Sequence, residues 1–206
     1  YALSAGVALN CDITQYCKFD RKNYFSHDLP TAYQITQFDH PICTGGYITV
    51  TGGKDIRINH IHIEEDAGKL VHDDYEGISM ADYNRCGVPL IEIVTEPDFR
   101  SIEEVQDFVE KLALRLKYAG VCDAKMEQGS MRVDVNISIM PVGSTEFGTR
   151  AELKNLNSLK AIGRAIEYEI NRQAEILDNG GTVIQETRRW DDAKGISVTM
   201  RTKEDA

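Results

Sequence analysis

The chain has 206 residues, 42% of them hydrophobic and 27% charged, with a formal net charge of −10. That is enough sequence to bury a sizeable core, in proportions ordinary for a globular protein, and no run reaches the apolar length of a membrane span. So acidic a chain is no general trap for nucleic acid; a polyanionic substrate has to be met by local basic groups or by a divalent ion.

Five scattered cysteines, Cys11, Cys17, Cys43, Cys86 and Cys122, show no Cys-x-x-Cys spacing. This argues for free thiols in a reducing cytoplasm and against a disulfide framework or a structural zinc site. With Tyr1 first and no leader-like segment, the chain is expected to be an internal piece of a longer polypeptide.

In chain order, "ALSAGVALNCDI" has small and apolar residues at near-helical spacing and reads as a helix end. The following stretch, from Lys18 to Ile42, is rich in aromatics, and Pro30 and Pro41 exclude a long helix; such irregular segments tend to wrap over a site. "GYITVTGGKDIRINHIHIEED" places a Gly-Gly turn between two β-rich arms, a hairpin signature. Its second arm breaks phase. Ile56 and Ile58 share one parity, Ile61 and Ile63 the other, which predicts a β-bulge near Asn59 and His60. "VPLIEIV" reads as a strand buried on both faces.

A helix is predicted from the Ser101–Glu104 capping pair to the Gly120 stop, with Val105, Phe108, Val109, Leu112 and Leu116 as its stripe. "MRVDVNISIM" alternates strictly and is expected to pair with "FGTRAELKNLN". A second helix, from about Asn157 to Asn179, carries Leu159, Ile162, Ile166, Ile170 and Leu177 as its stripe. "TVIQETRRWD" and "GISVTMRTK" form a last hairpin. Several hairpins interrupted by two helices predict an α+β fold, mostly antiparallel sheet with helices on one face.

Within this frame the carboxylates carry the chemistry. Glu92 lies inside "PLIEIV" among aliphatics, and a buried carboxylate normally pairs, neutralises or binds a metal. A salt bridge to Arg85 or Arg132, a metal ion, and a solvent-facing edge strand are the three readings. Glu64, Glu65 and Asp66 crowd one strand end, where a hard cation such as Mg2+ would offset their repulsion. Glu65 has the parity of Ile61 and Ile63 and is expected on the covered side; His60 and His62 share the parity of Glu64, as a ligand or as cover for a sheet face. Arg21 and Lys22 sit among aromatics. Arg150, Glu152 and Lys154 share a strand face beside Arg132, Asp134 and Asn136, an arrangement that suits either a triphosphate with its metal or a self-neutralising ion-pair lattice. No Walker-type loop, dinucleotide fingerprint or nucleophile elbow occurs.

The motifs "KFDRKNYF", "DLPTAYQITQFD", "HIEEDAGK", "YNRCGVPLIEIVTEPD", "MEQGSMRVDVNIS", "AELKNLNS" and "QETRRWD" together closely resemble the B-subunit family of the aspartyl/glutamyl-tRNA amidotransferases. The resemblance runs in order from about residue 10 to the end. It implies a cradle like that of glutamine synthetase, using ATP and Mg2+ to phosphorylate the side-chain carboxylate of Glu on tRNA-Gln or Asp on tRNA-Asn. Ammonia from the partner amidase, the A subunit, then forms the amide, with the small C subunit completing the complex in the cytoplasm. By the same resemblance Glu65 and Glu92 are metal-binding, catalytic carboxylates and Glu64 a neighbouring ligand. Arg21, Lys22, Arg132, Arg150 and Lys154 are placed as phosphate contacts. Residues 1–206 are then a single cradle fragment, lacking the family's first strand, with its Glu-Val-His motif, and the later helical and tail domains. A catalytically silent scaffold for the complex and an unrelated metal-dependent hydrolase are the competing readings.

Overall fold

A computed structural model describes residues 1–73 and 75–202. Asp74, in the acidic run, and Lys203, at the end of the last predicted arm, lie outside the described residues. The fold is α+β, as the hairpin-and-helix pattern predicts, and the chain's contacts cluster into two compact units. The first comprises Tyr1–Asp98 with Tyr118–Val121, the second Phe99–Lys117 with Cys122–Ala206.

The first unit opens with a short helix, α1 (Ala2–Ala8), followed by β1 (Asp12–Ile13), β2 (Asp20–Asn23), β3 (Tyr33–Thr36), β4 (Cys43–Thr44), β5 (Tyr47–Thr49), β6 (Asp55–Glu65), β7 (Lys69–Asp73), β8 (Ile78–Asp82) and β9 (Pro89–Thr95). β6 is the axis of the unit. β4 and β5 pair with it antiparallel, β1 extends the sheet beyond β4, and β9 is antiparallel to β6 over nearly its whole length. The Gly52–Gly53 turn between β5 and β6 needs two left-handed residues, with φ of 98° and 84°, which only glycine adopts freely. Ile48, Ile56, Ile58 and Ile61 are fully buried, each contributing about 1.5–3 kcal/mol of transfer free energy.

The predicted phase break is present: the β6–β9 register slips between Ile58 and His60. Beyond it, Ile61 and Ile63 sit opposite Ile93 and Ile91, while His62 sits opposite Glu92. One face of this ribbon is therefore aliphatic and the other carries imidazole and carboxylate. The Lys18–Ile42 stretch forms the small β2–β3 hairpin, and its β3 arm lies against β6.

One expectation for this unit needs correction. "VPLIEIV" is a half-buried strand, because β9 pairs only with β6 in the described ladders and keeps an open edge. Residues after the acidic cluster form a further hairpin, β7–β8, in register from Lys69 opposite Asp82 to Asp73 opposite Ile78.

The second unit contains α2 (Ile102–Tyr118), β10 (Val133–Ile137), β11 (Ala151–Leu156), α3 (Leu159–Asp178), β12 (Glu186–Asp191) and β13 (Ile196–Thr202). Ser101 Oγ accepts from the Glu104 N–H at 3.2 Å and Gly120 turns left-handed at φ 67°, so α2 starts and stops where its sequence says. Ser158 caps α3 in the same way, its Oγ accepting from the Ala161 N–H at 3.0 Å. Gly163 of α3 lets the two helices approach: a Cβ there would lie 2.7 Å from Gln106 Nε2.

The sheet order is β10-β11-β12-β13, antiparallel except for a parallel β11–β12 pair. The stripe predicted for α3 fails in its second half. Ile170 and Leu177 are 38% and 47% exposed, while Glu169 and Gln173 are wholly buried. A charge network replaces the missing apolar contacts: Arg172 donates to Glu169 at 2.9 and 2.6 Å, Gln173 donates to it at 3.0 Å, and Arg188 of β12 joins Glu186 at 2.7 Å. No helix among the described residues is long and apolar enough to cross a membrane.

Candidate metal centre on the face of strand β6

After the bulge, alternation brings His60, His62 and Glu64 onto one side of β6, and the antiparallel register adds Glu92 from β9. His62 is the hub. Its Nε2 lies 3.3 Å from Glu64 Oε2 and 3.4 Å from Glu92 Oε2. Among the described residues these three form a group able to offer a metal one ligand atom each, all within 4.8 Å of one another. The imidazole and Glu64 side chains are 10% and 14% exposed, whereas that of Glu92 is 49% exposed. Such a site is enclosed behind and open in front, where a ligand could enter.

The electrostatics follow from this packing. Burial alone would hold His62 neutral, but hydrogen bonds and the fields of Glu64 and Glu92 outweigh it and lift the imidazole to about 9. The His62 hydrogen bond in turn holds Glu92 below its ordinary carboxylate value, against partial burial, with Lys22 adding to the positive field. His60 shifts the opposite way: burial and then the neighbouring His62 charge keep it neutral. In the metal-free protein the His62 proton thus serves as the counter-ion that two carboxylates need.

The Glu92 reading accordingly changes. The partner that the first unit gives it is His62, 3.4 Å away, and Arg85 pairs with Asp66 at 3.0 Å. Glu65 is not brought to Glu92. It leaves β6 on the side of Ile61 and Ile63, its Oε2 accepts from the Ile35 N–H of β3 at 3.4 Å, and its carbonyl accepts from the Gln34 side chain. No ligand-type group of three among the described residues includes it. His62, which periodicity alone could not separate from a sheet-covering histidine, is the residue that the register brings to Glu92. The signal was in the register, since His62 sits opposite Glu92 and Glu65 opposite Pro89.

The basic candidates divide between the units. Arg21 and Lys22, on β2, lie over the rings of Tyr33 and Tyr24 at 4.3 and 5.6 Å. The β2–β3 hairpin is also the element whose Ile35 meets Glu65, and Lys22 contributes to the field at Glu92. Lys22 therefore borders the acidic face.

On the second unit Lys154 bridges Asp134 and Glu152, the latter at 3.2 Å, and Thr187 donates to Glu152 at 2.8 Å. This pairing is the ion-pair lattice that the alternating charges allowed. Arg132 is exposed immediately before β10. Arg150 lines a pocket of about 280 Å³ together with Asn136, Glu152, Glu186, Thr187 and Arg201.

Comparison with known proteins places the chain in a family. The model of the GatB/GatE catalytic domain matches residues 1–206. The chain is 63% identical to the B subunit of the aspartyl/glutamyl-tRNA(Asn/Gln) amidotransferase of Ruminiclostridium cellulolyticum, 62% to that of Caldicellulosiruptor saccharolyticus and 58% to that of Caldanaerobacter subterraneus subsp. tengcongensis. Each alignment covers all of this chain but only 43%, 44% and 44% of the relative, so the chain spans less than half the length of these proteins. By sequence and over its whole length, the chain belongs to the GatB/GatE catalytic domain family.

Proposed function

We propose that this chain is part of an ATP- and Mg2+-dependent cradle that activates the side-chain carboxylate of Glu-tRNA(Gln) or Asp-tRNA(Asn) for amidation in translation. The relatives' name, the B subunit of an amidotransferase, supports the overall reaction, and the His62–Glu64–Glu92 group supports the place of activation. In this reading the γ-phosphoryl group of ATP moves to a carboxylate oxygen of the aminoacyl group, releasing ADP. Ammonia delivered by the amidase, the A subunit, then attacks the acyl carbon, phosphate leaves, and the nitrogen loses a proton. The small C subunit would complete the complex, and a cytoplasmic setting fits the free thiols of all five cysteines.

The residues fit a divalent ion. Two carboxylates and one imidazole converge from two strands, with the open side at Glu92. Carboxylate oxygens suit Mg2+, and the imidazole nitrogen makes Mn2+ an equally good probe. When bound, the ion would offset the repulsion between the phosphate chain and the incoming carboxylate. The chain's own residues do the rest: Glu64 and the buried His62 fix one side, and Glu92 reaches the entry. Arg21 and Lys22 sit on the neighbouring hairpin as cations for phosphate oxygens. Glu65 has a positioning role here, tying β6 to that hairpin through Ile35. Arg150, with Arg132, is a phosphate contact of the second unit, while Lys154 would first have to leave two acids.

The single observation that carries the reading is the shared approach of Glu64 and Glu92 to one imidazole nitrogen. It is tested by ATP hydrolysis dependent on misacylated tRNA, using the full-length protein in its complex. Glu92→Gln is expected to lower turnover by about 100-fold or more, the scale for losing one preorganised electrostatic group. Equal turnover would remove the metal role. An assembled complex whose turnover needs neither Glu92 nor His62 would leave this chain a scaffold.

A further inference from the structure

The β2–β3 hairpin carries two adjacent cations, and strand alternation sends them to opposite sides. Lys22 shares its side with Asp20 and adds to the field at Glu92. Arg21 shares the other side with Asn23, and with Ile35 and Tyr33, which sit opposite these two residues in the ladder. Phe19 and Phe25 continue the parity of Arg21 beyond the ends of β2, and they are 56% and 98% exposed. This side therefore reads ring, guanidinium, amide, ring along one run of chain.

The row differs from an ordinary solvated hairpin in its charge. In a chain of net charge −10, Arg21 makes no ion pair among the described residues; its guanidinium lies 4.3 Å over the Tyr33 ring instead. Lys18, by contrast, is held by Asp20 at 3.0 Å and Asp39 at 3.9 Å. No acid shares the Arg21 parity between residues 19 and 25, so nothing in this row repels an anion. Phe25 buries almost nothing within this fold, which leaves its ring open to a partner.

Exposed rings flanking an unpaired cation suit a single nucleic-acid strand, whose bases offer stacking faces and whose backbone offers phosphates. A duplex keeps its base faces stacked inside. An apolar protein surface would bury the guanidinium without a counter-charge, which is costly. We infer that Phe19, Arg21 and Phe25 form a strip that binds single-stranded RNA, the rings stacking on bases and the guanidinium meeting a phosphate between them. The inference rests on the proposed action on aminoacyl-tRNA and deepens it, naming where the unpaired end that carries the amino acid is held. Lys22, on the other side of the strand, stays beside the acidic face.

The test uses the full-length protein in its complex. Misacylated tRNA is the substrate, and a short labelled single-stranded RNA is a separate probe read by fluorescence anisotropy. Phe25→Ala should weaken probe binding and raise the KM for misacylated tRNA by about 5–150-fold, the range for losing one base stacked on a ring. The kcat and the KM for ATP should not change. Phe25→Tyr, which keeps a ring, should restore both quantities. Arg21→Gln should weaken binding and lower the slope of log K against log salt by about 0.7, as expected for one phosphate on a single strand. Both positions are exposed, so neither change threatens the fold. Unchanged probe affinity and unchanged tRNA KM in Phe25→Ala and Arg21→Gln overturn this inference; the amidation reading then stands as long as Glu92→Gln still lowers turnover. A Phe25→Ala protein that no longer enters the complex shows the strip to be a protein interface and overturns the inference as well. Equal displacement of the probe by a blunt RNA duplex overturns the single-strand assignment. Probe binding that depends on Phe25, in a wild-type complex that hydrolyses no ATP with misacylated tRNA, keeps the strip and removes the amidation reading.

Discussion

Changing Glu169 to Gln tests whether charge, and not shape, seals α3 onto its sheet. Glu169 is wholly buried and accepts from Arg172 twice and from Gln173, with Arg188 3.7 Å away. Glutamine keeps the volume but removes one of the two carboxylates that the arginines share, leaving Glu186 to offset both. Breaking a buried pair in this way costs about 3–5 kcal/mol, whereas a neutral exchange at a solvated site costs under about 0.5 kcal/mol. Domain stabilities are about 5–15 kcal/mol, so the loss is a large share of the whole. Trp190 makes the assay direct. It is the single tryptophan of the chain, 1% exposed, and its ring meets Tyr168, the residue before Glu169. With a urea slope of about 2 kcal/mol/M, the midpoint of the Trp190 fluorescence transition should fall by about 1.5–2.5 M. A shift below about 0.3 M would mean that the arginines are satisfied without Glu169, and the reasoning would fail.

Acid should act on the same network. Burial works against ionised Glu186, but Thr199, Arg188 and Arg172 outweigh it and hold its carboxyl below the ordinary value. A depressed carboxylate stabilises the fold above its unfolded pKa, and that stability is lost as pH falls through the folded value. The wild-type Trp190 midpoint should therefore drop steeply below about pH 4.3, the unfolded Glu value, and less steeply in Glu186→Gln. Ile61→Ala, at a fully buried position of β6, should cost about 2–5 kcal/mol in equilibrium denaturation; a cost under about 1 kcal/mol would contradict the packing described. Gly163→Ala would place a Cβ 2.7 Å from the Gln106 amide that donates to the Leu159 carbonyl at 2.8 Å. It should cost about 1 kcal/mol, the worth of that bond, and a stabilised variant in thermal unfolding would show that the helices do not meet there.

The sequence was legible where one physical signal decides. The phase break in "RINHIHI" forecast the bulge because parity admits no other regular solution, and the caps of α2 and α3 follow from Ser101 and Ser158. Pairing information was not legible. The parity that sets Glu65 apart from Glu64 is present in the sequence, yet only the register shows that Glu92 meets His62 and that β11 runs parallel to β12. Apolar periodicity also misleads where polar groups fill a core, since Glu169 and Gln173 sit where Ile170 and Leu177 were expected. Glu92 drew notice as an acid among aliphatics, but the open edge of β9 leaves it 49% exposed instead of sealed.

The account turns on one place: the imidazole of His62 between two carboxylates. Anomalous diffraction from crystals soaked in Mn2+ locates the ion without reference to activity. A peak within bonding distance of His62 Nε2, Glu64 and Glu92 is the result expected. A peak bridging Glu65 and Glu92, or none on that face of β6, would contradict it.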